Sequence, residues 1–423
     1  MSRTQPIKKA ILISVVLLLL TLAFGGTVVS RSQETGATYD SLRLFTEVLS
    51  IVQSQYVEEV APKELIYDAI KGTLRGLDPH SSFLDPDMYR EMQVETSGSF
   101  GGLGIEITLR DDVLTVVAPI EGTPAYRAGL LPGDRIVKIE GIATKDMQLF
   151  DAVKRMRGRP GTKITISVLR DGWMEPKDFT IIREQIHVQS VRSQELEAGI
   201  GYIRLRQFQE QTGDDLEAAL EKLSADAELQ GLVLDLRSNP GGLLTAAVEV
   251  AEQFLETGKL VVYTEGRVRN QNMRFTANSR DSDTDVPLVV LVNKGSASAS
   301  EIVAGALQDW NRAVILGTET FGKGSVQTII PLSDGAGLRL TTAKYFTPKG
   351  RSIHGEGIMP DIVVERTRII GAAELSRATV EQSAEERVKK DPQLDRAVDL
   401  LKAMRILEKG RPESTTPPRA QLN

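Results

Sequence analysis

Cysteine is absent from the 423 residues. That excludes disulfides, thiol nucleophiles, Cys-ligated zinc, Cys-bound iron–sulfur clusters and the cysteine-linked anchor of bacterial lipoproteins. Histidine is nearly absent, with His80, His187 and His354 the whole supply. A histidine-rich metal centre is excluded, neither metal nor cofactor is expected, and a histidine-based hydrolase has few candidates. Extended basic blocks are missing as well, and the net charge is −6, which argues against a nucleic-acid partner. Only one long apolar run occurs, Ala10–Val29. Against these absences stand 41 % hydrophobic and 26 % charged residues, enough for a sizeable core. At about 150 residues per domain the length suggests two to three domains.

The apolar run comes after Arg3, Lys8 and Lys9, and as a helix it is about 30 Å long, the thickness of a hydrocarbon core. Positive charge on the leading flank keeps the N-terminus cytoplasmic and exports the remainder of the chain. Two readings stay open. Ile11–Phe24 is the core of a cleaved signal peptide with Gly25, Gly26 and Ser30 near the cut, or residues 1–30 remain as an anchor. Both predict that the remainder of the chain lies outside the cytoplasm, associated with the membrane or secreted.

Leu42, Phe45, Val48, Leu49, Val52 and Tyr56 recur at helical spacing, and a second helical stretch starts after Pro62. A small helical module over 39–96 is expected. From Ser97 the texture changes to glycine and β-branched residues. Leu103–Leu109, Val113–Ala118, Ile136–Glu140, Lys163–Leu169 and Phe179–Arg183 read as strands, with a short helix capped by Thr123 and a longer helix Asp146–Arg157. These predict a compact, partly open β-barrel over 97–186. From Ile200 strands and helices alternate, including strands Gly231–Leu236, Leu260–Thr264, Leu288–Val292 and Ala313–Gly317. Near-continuous apolar strands between helices predict a mostly parallel sheet within 187–366. A helix after Asp391-Pro392 places Leu394, Ala397, Val398, Leu401 and Met404 on one face of a C-terminal segment, 367–410. The polar stretch 411–423 reads as a disordered tail.

Gly101-Gly102-Leu103-Gly104 leads into a strand. Successive glycines let main-chain N–H groups converge, a nest suited to a carboxylate, although a plain turn has the same composition. A peptide C-terminus there would lie beside Leu103–Ile107 and meet Leu149 and Val153 on the longer helix. The element after the glycines is a strand rather than a helix, so this is no dinucleotide fingerprint. Together with Ala128-Gly129-Leu130-Leu131-Pro132-Gly133-Asp134-Arg135-Ile136, the segment resembles a bacterial PDZ domain over about 97–186. The resemblance implies a peptide groove of Gly102, Leu103, Gly104, Ile105, Leu149 and Val153.

Three further segments carry chemistry. Asp235-Leu236-Arg237-Ser238-Asn239-Pro240-Gly241-Gly242 closes a strand with free amides that could hold an oxyanion, or it is an ordinary strand–helix turn. Asn293-Lys294-Gly295-Ser296-Ala297-Ser298-Ala299-Ser300-Glu301 puts serines at a helix start, where the dipole favours developing negative charge. Ordinary N-capping fits too, and three alternating serines leave the nucleophile unassigned. Thr320-Phe321-Gly322-Lys323-Gly324-Ser325-Val326-Gln327 sets a lysine between glycines, and a lysine works as a base only where burial lowers its pKa.

In this order and spacing the three segments resemble the carboxy-terminal processing peptidases, also called tail-specific proteases. The resemblance runs from about Leu42 to Val364 and includes Leu77-Asp78-Pro79-His80-Ser81 and Ser352-Ile353-His354-Gly355, with Ser238 a modest departure. It implies a crotonase/ClpP-like α/β protease core with an inserted PDZ domain. It also implies a serine endopeptidase with Ser298 as nucleophile, Lys323 as base and Gln327 orienting the amine. The amides of Ala299 and of Gly241 or Gly242 would form the oxyanion hole. The same resemblance implies protein substrates held by their C-termini. It implies a PDZ domain that gates the dyad and a dimer or larger assembly with contacts through the terminal amphipathic helices, and it leaves room for an activating adaptor protein. Two other classes compete: a catalytically silent PDZ scaffold, opposed by the intact Ser298–Lys323–Gln327 set, and a crotonase-like acyl-CoA enzyme, opposed by the PDZ insertion and the export signal. A triad built on His354 with Asp361, or His80 with Asp78, would leave Lys323 and Gln327 without a role.

Overall fold

The computed structural model describes residues 39–197, 199–226, 228–278, 285–365 and 391–409. The run Ala10–Val29, the tail 411–423 and most of the stretch preceding Asp391 lie outside these residues. Among the described residues no helix is long and apolar enough to cross a membrane.

The chain divides into two compact units, Met1–Phe83 and Leu84–Asn423. In the first, helix 39–55 precedes helix Pro62–Arg75, which opens on a proline where no intrahelical N–H is needed. Leu42, Phe45 and Val48 remain exposed on the leading helix. The Asp78 carboxylate organises a turn by accepting the N–H groups of His80 (2.7 Å) and Ser81 (2.9 Å). A further helix, Pro86–Ser97, lies in the second unit.

That unit begins with the β-barrel. Strands Ile105–Arg110, Val113–Pro119, Arg135–Ile139, Lys163–Leu169 and Lys177–Ile182 form an antiparallel sheet in that order. Alternate residues Leu114 and Val116, and Ile164, Ile166 and Val168, with Ile136 and Ile139 on either side of a bulge, turn inward onto Ala152 and Met156 of helix Leu149–Met156. The acid of the Pro-Gly-Asp turn is structural. Asp134 is fully buried and accepts Nε (2.6 Å) and NH2 (2.8 Å) of Arg170. Three local expectations change. The strand expected over Leu103–Leu109 starts at Ile105, after Gly104 at φ +75°, and a separate strand, Ser99–Gly102, pairs with Glu184–His187. The long helix starts at Leu149, since Asp146 adopts φ +65°. Thr123 precedes its helix but donates its hydroxyl to the carbonyls of Ile120 (2.6 Å) and Gly104 (3.1 Å) rather than capping.

The α/β part is built on the sheet Val191–Glu197, Ile200–Leu205, Gly231–Asp235, Leu288–Val292, Val314–Gly317 and Ile362–Val363, parallel from Ile200 onward. Every residue of Gly231–Asp235 and Leu288–Val292 is buried, which requires cover on both faces. One face packs Leu232, Leu234, Val290 and Val292 against helices Leu244–Glu252 and Ala299–Asp309. The other packs Val233, Val289, Leu291 and Leu316 against Ala397, Val398 and Leu401 of helix Pro392–Lys409. The apolar face expected to mediate contacts between copies is therefore engaged within the chain, because the sheet has a second apolar face to cover. Leu260–Gly266, expected in the parallel series, joins a second sheet, antiparallel to Gly337–Phe346, which also pairs with Ser325–Pro331.

Candidate active site

Strands Gly231–Asp235 and Leu288–Val292 lie side by side and parallel, so the loops at their C-terminal ends meet. Asn293 Oδ1 accepts the N–H groups of Ser238 (2.8 Å) and Gly295 (2.9 Å), and Asn239 O accepts that of Ala297 (3.0 Å). These bonds fix the Pro-Gly-Gly loop against the serine loop. The approach is close enough that a Cβ on Gly241 would lie 2.7 Å from the Ser298 Cβ.

The three alternating serines now separate. Ser296 is fully buried, and its hydroxyl donates to Leu236 O at 2.8 Å. Ser300 is fully buried and donates to Asn239 O at 3.0 Å. Ser298 alone of the three lines a cleft of about 330 Å³, together with Gly241, Gly242, Ala299, Lys323, Gln327, Arg339 and Tyr345. It precedes helix Ala299–Asp309 at φ +57°, ψ −113°, a conformation that a non-glycine residue holds only under constraint. The strained strand-to-helix turn lifts its side chain out of the packed layer, as nucleophile-bearing turns in α/β folds do.

The constraint comes from Glu301, fully buried three residues on. Its Oε2 accepts the N–H of Ser298 (2.8 Å) and of Lys323 (2.9 Å). Its Oε1 accepts the N–H of Gly322 (2.7 Å) and the Thr320 hydroxyl (2.6 Å). One carboxylate thus bridges the main chains of two loops that are 25 residues apart. The lysine loop is braced on its other side, where Gly355 N–H donates to Gly322 O (2.8 Å). A Cβ on Gly324 would lie 2.3 Å from the main-chain nitrogen of His354. The Ser-Ile-His-Gly motif therefore supports the loop through its backbone.

Lys323 is half-buried, and its pKa lies below the ordinary lysine value. Burial is the main cause and the nearby Arg339 guanidinium adds to it, while the Glu301 carboxylate opposes. Among the described residues no hydrogen bond joins Lys323 to Ser298, a spacing common in empty sites that tighten on substrate. Gln327 lies in the same cleft, but its Nε2 donates to Ser325 Oγ at 2.9 Å and not to the lysine.

Of the three amides expected in an oxyanion hole, that of Gly241 is engaged, donating to Asn239 Oδ1 at 2.9 Å. Gly242 N–H makes no hydrogen bond among the described residues. Ala299 opens its helix, where an N–H has no intrahelical acceptor. Of the three, the amides of Gly242 and Ala299 make no hydrogen bond among the described residues, and at Gly241 a side chain would meet Ser298.

Among the described residues, no histidine lines the Ser298 cleft. Asp361 accepts Ile315 N–H (2.8 Å) and the Gln308 amide (2.8 Å), while Asp78 is engaged by main-chain groups of its own turn. In the barrel, a groove of about 230 Å³ is lined by Gly102, Leu103, Gly104, Ile105 and Val153, with Phe100, Ile107, Met156 and Arg157 added. Leu149 is not among its walls and packs on the barrel core instead. Strand Ile105–Arg110 is an edge of its sheet, free to accept another strand.

Four residues to which the sequence assigned no role also contribute to the site. Glu301 was legible, since Ser298-Ala299-Ser300-Glu301 has the capping-box spacing. Arg339 and Tyr345 reach the cleft only by the pairing of Gly337–Phe346 with Ser325–Pro331. Arg237, beside the Pro-Gly-Gly loop, is clamped by Asp235 (2.7 and 2.9 Å) and by Asp391 (2.8 and 2.9 Å). A residue 154 positions away thereby anchors the C-terminal helix to the Pro-Gly-Gly loop.

Comparison with known proteins places this arrangement. The peptidase family S41 matches residues 199–364, and the PDZ domain matches residues 115–170. The chain is 50 % identical over 332 residues to the carboxy-terminal-processing protease of Bartonella bacilliformis, covering 78 % of this chain and 76 % of that protein. It is 42 % identical over 342 residues to the carboxyl-terminal-processing protease of Synechocystis sp., covering 79 % of each. Among solved structures, the photosystem II D1 C-terminal processing protease is 33 % identical, covering 76 % of this chain and 92 % of that chain, with a TM-score of 0.44. The chain thus belongs to the carboxy-terminal-processing proteases of peptidase family S41, serine peptidases that carry a PDZ domain.

Proposed function

We propose that this protease works outside the cytoplasm of a bacterial cell, takes envelope proteins by their C-termini and cleaves them with a Ser298–Lys323 dyad. The observation that carries the dyad is the separation of the three serines: two hydroxyls are buried on carbonyls, and the third shares a cleft with a lysine of lowered pKa. Neutral Lys323 takes the Ser298 proton as Oγ attacks the scissile carbonyl. The N–H groups of Gly242 and Ala299 receive the oxyanion. Collapse expels the amine, which takes its proton from the Lys323 ammonium. Lys323 then deprotonates a water that hydrolyses the acyl-enzyme. Gln327 Oε1 remains an acceptor for the lysine amine once Nε2 is fixed on Ser325.

The PDZ groove supplies recognition. A substrate adds as a strand beside Ile105–Arg110, its terminal carboxylate meets the amides of Gly102–Gly104, and its last side chain enters the pocket between Leu103 and Val153. Occupancy of this groove gates the dyad. The positively flanked run Ala10–Val29 supports export through a signal peptide or an anchor. Exposed Leu42, Phe45 and Val48 support contact between copies.

Incubation with an unstructured protein ending in apolar residues tests this reading. The wild type cleaves it, and Ser298→Ala and Lys323→Ala each lose on the order of 10³-fold or more. Equal cleavage by all three would overturn the assignment.

A further inference from the structure

The cleft holds one buried polar side chain that the reaction above leaves unused. Tyr345 lies on strand Gly337–Phe346 and is 2 % exposed, although its ring reaches the catalytic cleft. Its position is over-determined. Its own N–H donates to Gly324 O (3.1 Å), and its neighbour Lys344 pairs in register with Ser325 just after the catalytic lysine. On the other side, Thr264 stands opposite it in the pairing with Leu260–Gly266. The hydroxyl donates to the main-chain carbonyl of Lys323, and Ser298 lines the same cleft.

A phenol has one proton and can accept through its lone pairs. With the proton directed at Lys323 O, the lone pairs are left to receive the Ser298 hydroxyl. Burial pushes the Tyr345 phenol far above its ordinary value, so the proton stays in place at any working pH. The arrangement parallels that of Glu301. The carboxylate ties the N–H of Ser298 to the N–H of Lys323, and the phenol holds the Lys323 carbonyl within the same cleft. Lys323 is therefore held at both of its main-chain polar groups.

We propose that Tyr345 is a positioning residue for acylation: it fixes the Ser298 rotamer and the Lys323 backbone together, so that turning one O–H bond toward the amine prepares proton transfer. The inference rests on the Ser298–Lys323 reading and deepens it. It assigns to preorganisation what a bare dyad would achieve only by sampling.

Tyr345→Phe removes the hydroxyl and keeps the ring, and Thr328→Val is its control. Thr328 bonds Thr342 (2.6 Å) across the same ribbon without touching the dyad. For Tyr345→Phe, kcat on a peptide substrate falls about 10- to 100-fold, as expected for one or two lost hydrogen bonds, while KM changes less than about two-fold. Inactivation by phenylmethylsulfonyl fluoride, which reads Ser298 reactivity without peptide recognition, slows by the same factor. Thr328→Val leaves both rates near wild type, and thermal melting shows that both variants fold. Unchanged kcat and inactivation in Tyr345→Phe, with Ser298→Ala inactive, overturns the role of Tyr345 alone. An equal loss in Thr328→Val also overturns it, because the effect then belongs to the sheet. An active Ser298→Ala overturns the dyad reading instead.

Discussion

Glu301→Gln tests the claim that one buried carboxylate holds the two catalytic loops. The wild-type side chain accepts four hydrogen bonds, three from main-chain N–H groups and one from the Thr320 hydroxyl. Glutamine keeps one accepting oxygen and turns the other into a donor. The less costly orientation points the new NH2 at Thr320, whose hydroxyl can rotate, and leaves Gly322 N–H unpaired at about 1–3 kcal/mol. The opposite orientation would leave the N–H groups of both Ser298 and Lys323 facing a donor. Bonds that survive lose their charge assistance, about 1 kcal/mol each. The sum is about 3–5 kcal/mol, a large share of the roughly 5–15 kcal/mol that holds a typical domain. Thermal melting should show a fall in Tm on the order of 10 °C. Cleavage kinetics at a temperature where the variant stays folded should show kcat reduced on the order of 10-fold or more, since displaced reacting groups lose rate steeply. A variant with wild-type Tm and wild-type kcat would refute the bridging role.

The remaining expectations concern charge, space and packing. Cleavage should rise with pH through the folded-state pKa of Lys323, because only the neutral amine accepts a proton. Arg339→Gln removes a cation that disfavours the ammonium, so that pKa rises and the pH–rate profile moves to higher pH; a profile that stays or moves lower contradicts the electrostatic coupling. Gly241→Ala inserts a Cβ at 2.7 Å from Ser298 Cβ at a residue with φ +98°. Its kcat should fall on the order of 100-fold while peptide binding to the PDZ groove, read by fluorescence polarisation, stays unchanged. Leu401→Ala opens the layer between the C-terminal helix and the sheet and should cost about 2–5 kcal/mol in urea unfolding. A loss below about 0.5 kcal/mol would mean that the helix does not cover the sheet in solution.

Much of the fold was legible because its signals are local. Apolar strands buried on both faces, such as Leu288–Val292, announce a parallel sheet by composition alone. The Pro-Gly-Asp turn and its strands gave the barrel for the same reason. What sequence misjudged were cases where a distant partner overrides local pattern. Leu260–Gly266 has the texture of a parallel strand, yet it joins Gly337–Phe346 in the second sheet. The C-terminal helix has an amphipathic face that reads equally well as an interface between chains, and the open face of the sheet takes it.

The sequence by itself determined the chemistry available: no thiol, almost no imidazole, and a lysine between glycines 25 residues after a run of serines. It also determined the glycines without which two loops could not approach. The tertiary structure decided which serine faces the cleft, which nearby amides are left without an internal acceptor, and that Glu301, Arg339 and Tyr345 gather there. These are properties of hydrogen bonds between segments far apart in the chain. Such bonds form only once the sheet has brought the loops together, and residue spacing carries no record of their direction.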